Sequence, residues 1–231
     1  MSRACHAASR VAWGSSSNSR TATHRHTSST CSSRRTFSHA AAAARDTSIP
    51  ASPKPFVILG IESSCDDTAA AVVTSDGRVL GEAIATQAEL HAPWGGVVPN
   101  LAQQAHKDAI DRIVASALSQ AQLQPSSLDA IAVTIGPGLS LCLDVGVRKA
   151  HSLSRTHSIP IVQIHHMEAH ALVARMAAGG SEALPFPFLC LLVSGGHNLL
   201  VLVKGVGSYV QLGTTLDDAL GECSRADLDL I

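Results

Sequence analysis

The sequence predicts an α/β protein of two lobes, the first complete and the second partial. Two observations predict it. Short apolar runs alternate with helix-type periodicity from residue 56 to residue 178, and a hairpin-type pattern then restarts at residue 188. Strand–helix–strand units imply parallel pairing with right-handed crossovers. Apolar residues make up 45% of the 231-residue chain and charged residues 15%, a globular balance that leaves material for a buried core.

The first 45 residues differ in composition from the rest of the chain. They contain seven arginines and no acidic residue, and they are crowded with Ser, Thr and Ala. Such a segment has too little apolar surface to offset the entropy of ordering the chain, which predicts disorder. An Arg-rich, Ser-rich and acid-free start is typical of an organelle transit peptide. We expect a mitochondrial address, in the matrix, with a plastid address and a plain basic tail as the alternatives.

Three regions are therefore expected along the chain. Residues 1–45 are the disordered transit peptide, residues 50–180 the first α/β lobe and residues 184–231 an incomplete second lobe. The stretch AGGSEALPFP has the composition of a linker between the two lobes. No apolar run reaches the roughly 18 residues that a membrane span needs, so no span is predicted.

The first lobe opens with three predicted strands. Residues 56–61 form a short apolar run, AAAVVT forms a second after the turn SSCDDT, and a third strand follows the Asp76-Gly77 turn. HAPWGGVVP is predicted to be a loop. Asn100 is expected to cap the helix that follows, because a side-chain oxygen at that position can accept a bond from the first helical turn.

Two strand–helix units complete the first lobe. Residues 130–135 are predicted as a buried strand, and Gly136-Pro137-Gly138 as a sharp turn into a helix that begins near Ser140. PIVQI is the next predicted strand, and HHMEAHALVARMAA is the helix after it.

The second lobe repeats the opening pattern of the first. FLCLLV, the turn SGGH and NLLVLV predict a hairpin, and YVQLGTT predicts a third strand. TLDDALGE is expected to open a helix, with Thr215 and Asp218 at the spacing of an N-terminal capping box.

Two histidines of the helix predicted from HHMEAHALVARMAA, His166 and His170, are candidate metal ligands. A spacing of four residues places them on one helical face about 6 Å apart, which suits two ligands of one divalent ion. A pair of partly exposed helix histidines without a metal is the alternative. A peptidase of the HExxH type has its general base directly after the first histidine, where this chain has Met167. Glu168 lies about 200° around the helix from His166 and points away from the metal face, which disfavours peptidase chemistry.

The turn between the first two strands offers a pair of carboxylates, Asp66 and Asp67. Carboxylates at a strand–turn–strand can hold a charged or metal-bound substrate or orient a water. Ordinary turn formation by Asp is the alternative, because its side chain bonds locally to the backbone.

Small-residue turns occur at two further places. The stretch LVSGGH, residues 192–197, joins two apolar strands, and the free N–H groups of such a turn can cradle a phosphate. GPGLS directs a helix N-terminus at the region above the sheet, a favourable place for an anion. Plain tight turns would explain both stretches equally well. Two hairpins with small-residue turns, one opening each lobe, match by fold-level analogy the actin and sugar-kinase ATPase superfamily, whose lobes are ribonuclease-H-like.

Six stretches together resemble the tRNA threonylcarbamoyladenosine transferase family, formerly described as glycoprotease or O-sialoglycoprotein endopeptidase. In chain order they are GIESSCDDTAAAVV, HAPWGGVVPNLAQQAHKDAI, GPGLSLCLDVG, HHMEAHA, LLVSGGHNLLVLV and GTTLDDALGE. The resemblance runs from about residue 56 to residue 222. With the transit-like segment, the chain resembles the mitochondrial member.

The resemblance implies transfer of threonylcarbamoyl from threonylcarbamoyl-adenylate to the exocyclic amine of adenosine 37, in tRNAs that read codons beginning with A. His166 and His170 match the family's two metal-binding histidines, which implies one divalent metal ion, zinc or iron. A metal there would act as a Lewis acid on the carbonyl under attack. Asp66 and Asp67 fall where the family has an acidic pair near the reacting centre. The stretch that lies on the adenylate is matched by Leu192, Val193, Ser194, Gly195 and Gly196.

Departures after Glu222 predict a C-terminally truncated member. The family continues Ala-Phe-Asp-Lys and its Asp holds the ribose, whereas this chain has Arg225 at that position. The family's third metal ligand, an Asp far downstream, has no counterpart before Ile231. We therefore expect this chain by itself to be inactive and poorly folded, because three strands and part of a helix cover an apolar sheet badly.

A tRNA-modifying transferase is the leading hypothesis, and a metallo-glycopeptidase and an inactive remnant are the alternatives. The expected partners are tRNA and threonylcarbamoyl-adenylate, and a homodimer is an open question. Residues 46–231 carry ten basic and eighteen acidic side chains, a net charge of −8. A protein that grips phosphates over its whole surface would be basic, so we expect any tRNA contact to be a local patch or to come from another part or partner.

Overall fold

The computed structural model describes residues 54–193 and 198–216. Within these ranges the chain forms one sheet of five strands and a second sheet of three. The predicted transit peptide, the turn residues Ser194, Gly195 and Gly196, and everything after Leu216 lie outside the described residues.

The first sheet has the strand order β3-β2-β1-β4-β5. Its first three strands form an antiparallel meander, and β4 and β5 run parallel to β1. The strands are β1 Val57–Glu62, β2 Asp67–Thr74, β3 Val79–Thr86, β4 Ala130–Gly136 and β5 Ile161–His165. Each strand predicted for the first lobe is therefore present. The predicted turn between β2 and β3 is present too, with Gly77 at a φ of 86°, which a residue without Cβ adopts readily.

Helices connect the parallel strands. The described helices are α1 Ala88–His91, α2 Pro99–Gln120, α3 Ser140–His157 and α4 His166–Ala177. Two 3₁₀ turns, Ala92–Trp94 and Pro125–Ser127, flank α2. The helix predicted to begin near Ser140 and the one predicted after PIVQI are thus confirmed.

Two local predictions are wrong. HAPWGGVVP, predicted as a loop, contains the end of α1 and the 3₁₀ turn. Asn100 does not cap α2, because the helix already begins at Pro99 and Val98 is its N-cap, without a side-chain capping bond. Proline suits the first helical position, since its φ is fixed near the helical value and its missing N–H has no partner to lose there.

The side chains of the first sheet divide between two faces, because successive residues of a strand point to opposite sides. One face carries Leu59, Ile61, Ile131 and Val133, which belong to the main core cluster with residues of α2 and α3. The opposite face carries Ala132 and Ile164, which pack against Ala169 of α4. The sheet is thus covered by helices on both sides, and α4 defines the second face.

The second sheet is an antiparallel meander with the order β6-β7-β8. Its strands are β6 Phe188–Val193, β7 Asn198–Gly205 and β8 Ser208–Thr214. Phe188 and Val203 are buried against Ala171 of α4. Thr215 Oγ1 accepts a bond from Asn198 N–H at 2.7 Å, and Asp218, its predicted capping partner, lies outside the described residues.

The predicted α/β class is confirmed by this architecture. An antiparallel meander continued by two parallel strands with helical crossovers is the ribonuclease-H-like plan of the actin and sugar-kinase superfamily. None of the helices in the described ranges is both long and apolar enough to cross a bilayer.

Candidate functional site

Glu62 is a buried carboxylate at the end of β1. Its side chain is 1% exposed. Oε2 accepts a hydrogen bond from the Thr134 hydroxyl on β4, and Oε1 accepts one from Ser64 N–H at 2.8 Å. A buried carboxylate is stable only when it is hydrogen-bonded in this way. By strand alternation Glu62 shares its face with Ile58, which packs against the cluster that includes Ala169 of α4. β1 therefore ends in a fixed acceptor on the α4 face.

His166 is the first residue of α4 and lies beside this carboxylate. Its Nδ1 is 3.1 Å from Ser64 Oγ and 3.5 Å from Glu62 Oε1. The preceding residue, His165, is the N-cap, and its ring accepts a bond from Met167 N–H. An ionised carboxylate can only accept, so Glu62 favours a proton on Nδ1 of His166. Nε2 of His166 is then left with a free electron pair.

The rings of His166 and His170 face each other edge to face. Their Nε2 atoms are 3.1 Å apart, their centroids 4.6 Å apart and their planes at 85°. Two imidazoles that each bind one ion at about 2.0–2.1 Å in tetrahedral geometry have nitrogens roughly 3.3 Å apart. The observed separation therefore fits two ligands of one divalent metal.

No third ligand joins the pair within the residues that the structure describes. Across residues 54–193 and 198–216 there is no group of three or more His, Cys, Asp or Glu side chains that could hold a metal ion. The described part of the chain thus offers a two-nitrogen donor set with a carboxylate, Glu62, behind one nitrogen.

Asp66 and Asp67 lie where the loop after β1 enters β2. The carbonyl of Asp66 accepts a bond from Gln87 N–H at 3.1 Å. Asp67 is the first residue of β2, and the next residue, Thr68, points to the α2 side, where its hydroxyl meets His106. Because side chains alternate along a strand, Asp67 leaves the opposite face. That is the α4 face, which also carries Glu62.

The loop before the acidic pair is fastened to the start of α3. Ser63 Oγ donates to the carbonyl of Cys142 at 2.9 Å and accepts from Gly146 N–H at 3.1 Å. The carbonyl of Ser64 accepts from Leu139 N–H at 2.7 Å. The GPGL turn, predicted as a possible anion site, therefore supports the loop that carries Ser64.

The end of β6 lies close to the start of α4. Leu192 lines a cavity of about 180 Å³ together with His165, Met167 and Glu168. Val193, the last residue of β6, is exposed. The predicted ligand turn that follows, Ser194, Gly195 and Gly196, lies outside the described residues. Leu192 thus shares a cavity with the residues on both sides of His166.

Glu168 points away from the histidine pair, as its angular position on the helix predicts. It is 1% exposed, and its Oε1 accepts a bond from Gly207 N–H at 3.0 Å. Its Oε2 has no hydrogen-bond partner in the part of the chain that the structure describes. Burial raises the pKa of Glu168 to about 7, against a smaller lowering by the Gly207 N–H. The carboxyl links α4 to the β7–β8 turn and does not serve the pair.

Sequence reasoning missed three residues of this site: Glu62, Ser64 and Thr134. A charged residue in the apolar run VILGIE was the available signal for Glu62, because an acid is rarely buried without partners. Nothing local marks Thr134, which is 72 residues from Glu62 in the chain.

This chain matches a protein-family model. The model described as "TsaD: tRNA N6-adenosine threonylcarbamoyltransferase" matches residues 78–228.

Curated relatives with the same description are similar over most of this chain. It is 56% identical over 183 residues to the "Probable tRNA N6-adenosine threonylcarbamoyltransferase, mitochondrial" of Arabidopsis thaliana, covering 77% of this chain and 38% of the relative. It is 48% identical over 171 residues to the mitochondrial protein of that description from Danio rerio, covering 74% and 41%. It is 50% identical over 169 residues to the Brucella anthropi protein, covering 71% and 46%. The chain therefore spans less than half the length of these relatives.

Among solved structures, the chain is similar to "YeaZ from Pseudomonas aeruginosa", with a TM-score of 0.43 and 16% identity. The superposition covers 68% of this chain and 65% of that one.

Proposed function

The chain belongs to the tRNA N6-adenosine threonylcarbamoyltransferase family, and from that premise we propose that it serves threonylcarbamoyl transfer in mitochondria. The donor is threonylcarbamoyl-adenylate and the acceptor is the N6 amine of adenosine 37, in tRNAs that read codons beginning with A. The names of the relatives support the transferase, tRNA and mitochondrial parts of this proposal. Because the chain spans 38% to 46% of those relatives, the activity is proposed for the site to which this chain contributes the histidine pair and the acidic loop.

One observation carries the proposal, namely the 3.1 Å separation of the Nε2 atoms of His166 and His170. We propose that these two nitrogens hold one divalent ion, zinc or iron. When bound, the ion supplies Lewis-acid polarisation of the carbonyl under attack. Glu62 and Ser64 hold the His166 ring from the Nδ1 side, a role that carboxylates commonly have behind metal-binding histidines.

The acidic pair is proposed to handle the proton of the attacking amine. In the transfer, a bond forms between N6 of the adenosine and the carbamoyl carbon, and the bond from that carbon to the phosphate oxygen breaks. AMP leaves with the electron pair, and N6 gives up one proton. Asp67 is the proposed acceptor, because its side chain leaves the sheet on the α4 face. Asp66 is the second carboxylate of the pair and the second candidate.

The adenylate is proposed to lie against the end of β6. Leu192 lines the cavity beside α4, and Val193 follows it at the strand end. The remaining members of the proposed contact are Ser194, Gly195 and Gly196.

Within mitochondria, the matrix is the proposed location. A homodimer stays a prediction. The glycopeptidase alternative is disfavoured because Glu168 bonds to Gly207, on the other side of α4 from the histidine pair.

Silencing the gene that encodes this chain tests the proposal. Threonylcarbamoyladenosine at position 37 of mitochondrial tRNAs, measured by mass spectrometry of nuclease digests, should fall while the cytosolic level is kept. A silencing-resistant copy of the whole gene should restore it, and the same copy with His166→Ala and His170→Ala should not. His151→Ala, an exposed histidine on α3, is the matched control and should restore it. An unchanged modification level after silencing would overturn the proposed function.

A further inference from the structure

His106 is a polar residue on the buried side of α2, with 0% of its surface exposed. Its Nδ1 lies 2.7 Å from Thr68 Oγ1, and its Nε2 lies 3.1 Å from the carbonyl oxygen of Cys65. Cys65 is the residue directly before Asp66-Asp67, and Thr68 is the residue directly after. One imidazole therefore holds both ends of the acidic dipeptide.

The two bonds fix the tautomer of the ring. A backbone carbonyl can only accept, so Nε2 of His106 carries the proton and donates to Cys65. Nδ1 is then the acceptor, and the Thr68 hydroxyl donates to it. Burial lowers the pKa of His106, against the raising effect of the Cys65 carbonyl, which supports a neutral ring with both nitrogens satisfied.

The two anchors differ in importance for the loop. Thr68 is already held by β2, which pairs with both β1 and β3. Cys65 lies in the connection before the strand, so the bond from His106 Nε2 fixes the part of the backbone that the sheet does not hold. A third anchor is the bond from the Gln87 backbone N–H to the Asp66 carbonyl. Gln87 is itself held by α2, because its side-chain amide donates to the carbonyl of Ala102.

We propose that His106 is a positioning residue, which holds the Asp66-Asp67 backbone through the Cys65 carbonyl and so keeps the Asp67 carboxylate on the α4 face. The inference rests on the proposed function, because only there do these carboxylates meet the substrate. His106 acts through the backbone and does not touch the reacting atoms. A role limited to filling the core would not depend on which ring nitrogen keeps its partner.

Two substitutions separate the two nitrogens. In His106→Gln the terminal amide replaces Nε2 and can still donate to Cys65, whereas the Thr68 hydroxyl loses its partner. In His106→Asn the shorter side chain places its oxygen near the former Nδ1, so it can accept from Thr68, but the Cys65 carbonyl loses its donor. Both variants shorten or reshape the same buried ring, so a purely structural role predicts similar damage from both.

Hydrogen exchange of the Gln87 backbone amide, measured on the purified full chain, reports order in the loop, because that N–H is bonded to the Asp66 carbonyl. We expect His106→Asn to speed its exchange about tenfold, the effect of losing one hydrogen bond, and His106→Gln to change it little. His151→Gln is the exposed-histidine control. Equal acceleration in both His106 variants, or none in either, would overturn the proposal. If neither folds, Thr68→Val takes their place: a Gln87 backbone amide that still exchanges slowly supports the Cys65 anchor, and one that exchanges freely overturns it.

The modification assay in silenced cells supplies the functional readout. His106→Gln should restore threonylcarbamoyladenosine at position 37, and His106→Asn should restore much less at matched protein level. Equal restoration by both variants would overturn the positioning role. Failure of the unsubstituted gene to restore the modification would instead overturn the proposed function, and the exchange result would still decide what His106 does to the loop.

Discussion

Oε1 of Glu62 lies 3.5 Å from Nδ1 of His166, which joins the buried end of β1 to the first residue of α4. Ser64 is part of the same contact, since its N–H donates to Glu62 and its hydroxyl lies 3.1 Å from the His166 ring. The orientation of the donor pair therefore depends on a carboxylate that never reaches the surface.

Glu62→Gln should weaken metal binding without unfolding the protein. The amide oxygen can still accept from Ser64 N–H, and the Thr134 hydroxyl can turn to accept from the new NH₂. The negative charge behind His166 is lost, and such second-layer changes commonly lower metal affinity about 10–100-fold. Competition with a chromophoric chelator measures the affinity. Glu89→Gln, at an exposed position on α1, is the control, and an equal effect of both substitutions would contradict the role of Glu62.

Removing either proposed ligand should abolish stabilisation by metal. At a free ion concentration of about 100 times Kd, a ligand that binds only the folded state adds about 2.7 kcal/mol to the free energy of unfolding. Zinc should therefore raise the melting temperature of the unsubstituted chain but not that of His166→Ala or His170→Ala. His157→Ala, at the end of α3, should keep the rise. A zinc-dependent rise that survives in the two ligand variants would show that the ion sits elsewhere.

Features that depend on neighbours in the chain were predictable from the sequence. The His166–His170 juxtaposition follows from helix geometry alone, and the strands follow from short apolar runs. The outward direction of Glu168 from the pair follows from the same 100° step per residue. The Asn100 cap failed because two local signals competed, and the fixed φ of Pro99 sets the helix start.

Features that depend on tertiary pairing were not predictable. Glu62 and Thr134 meet only because β1 and β4 pair in parallel, 72 residues apart in the chain. His106 meets its partners across 38 and 41 residues. In the sequence, His106 is a single polar residue on the apolar side of a helix. Only the packing of α2 against the acidic loop gives it two partners.

Glu168 should make the folded chain less stable as the pH rises. Burial raises its pKa from 4.5 to about 7, so between these values the folded state holds a proton that the unfolded chain releases. Stability from this group is complete below about pH 4.5 and is lost as the pH rises through about 7. Glu168→Gln removes this titration. The free energy of unfolding of the variant minus that of the unsubstituted chain should therefore be larger above pH 7 than near pH 4.5, by on the order of 3 kcal/mol.

Urea unfolding at about pH 5 and about pH 8 in the presence of a chelator measures that difference. The exposed Glu182 gives the control substitution Glu182→Gln, which should shift stability by less than about 0.5 kcal/mol at either pH. A Glu168→Gln difference that stays the same at both pH values would mean that the carboxyl is ionised throughout.

Gly138→Ala should disturb the donor pair from the far side of the loop. A Cβ on Gly138 would lie 2.5 Å from the Ser64 carbonyl oxygen and 2.7 Å from Ser64 Cβ, so the alanine fits only if Ser64 moves. Overpacking of this kind destabilises by about 1–3 kcal/mol, and zinc affinity should fall because Ser64 contacts His166. At Gly96 an added Cβ meets no heavy atom within 4 Å, so Gly96→Ala should change stability by less than about 0.5 kcal/mol and leave zinc affinity intact. Urea unfolding and zinc titration compare the two variants. Unchanged zinc affinity in a destabilised Gly138→Ala would show that the Ser64 loop does not control metal binding by the histidine pair.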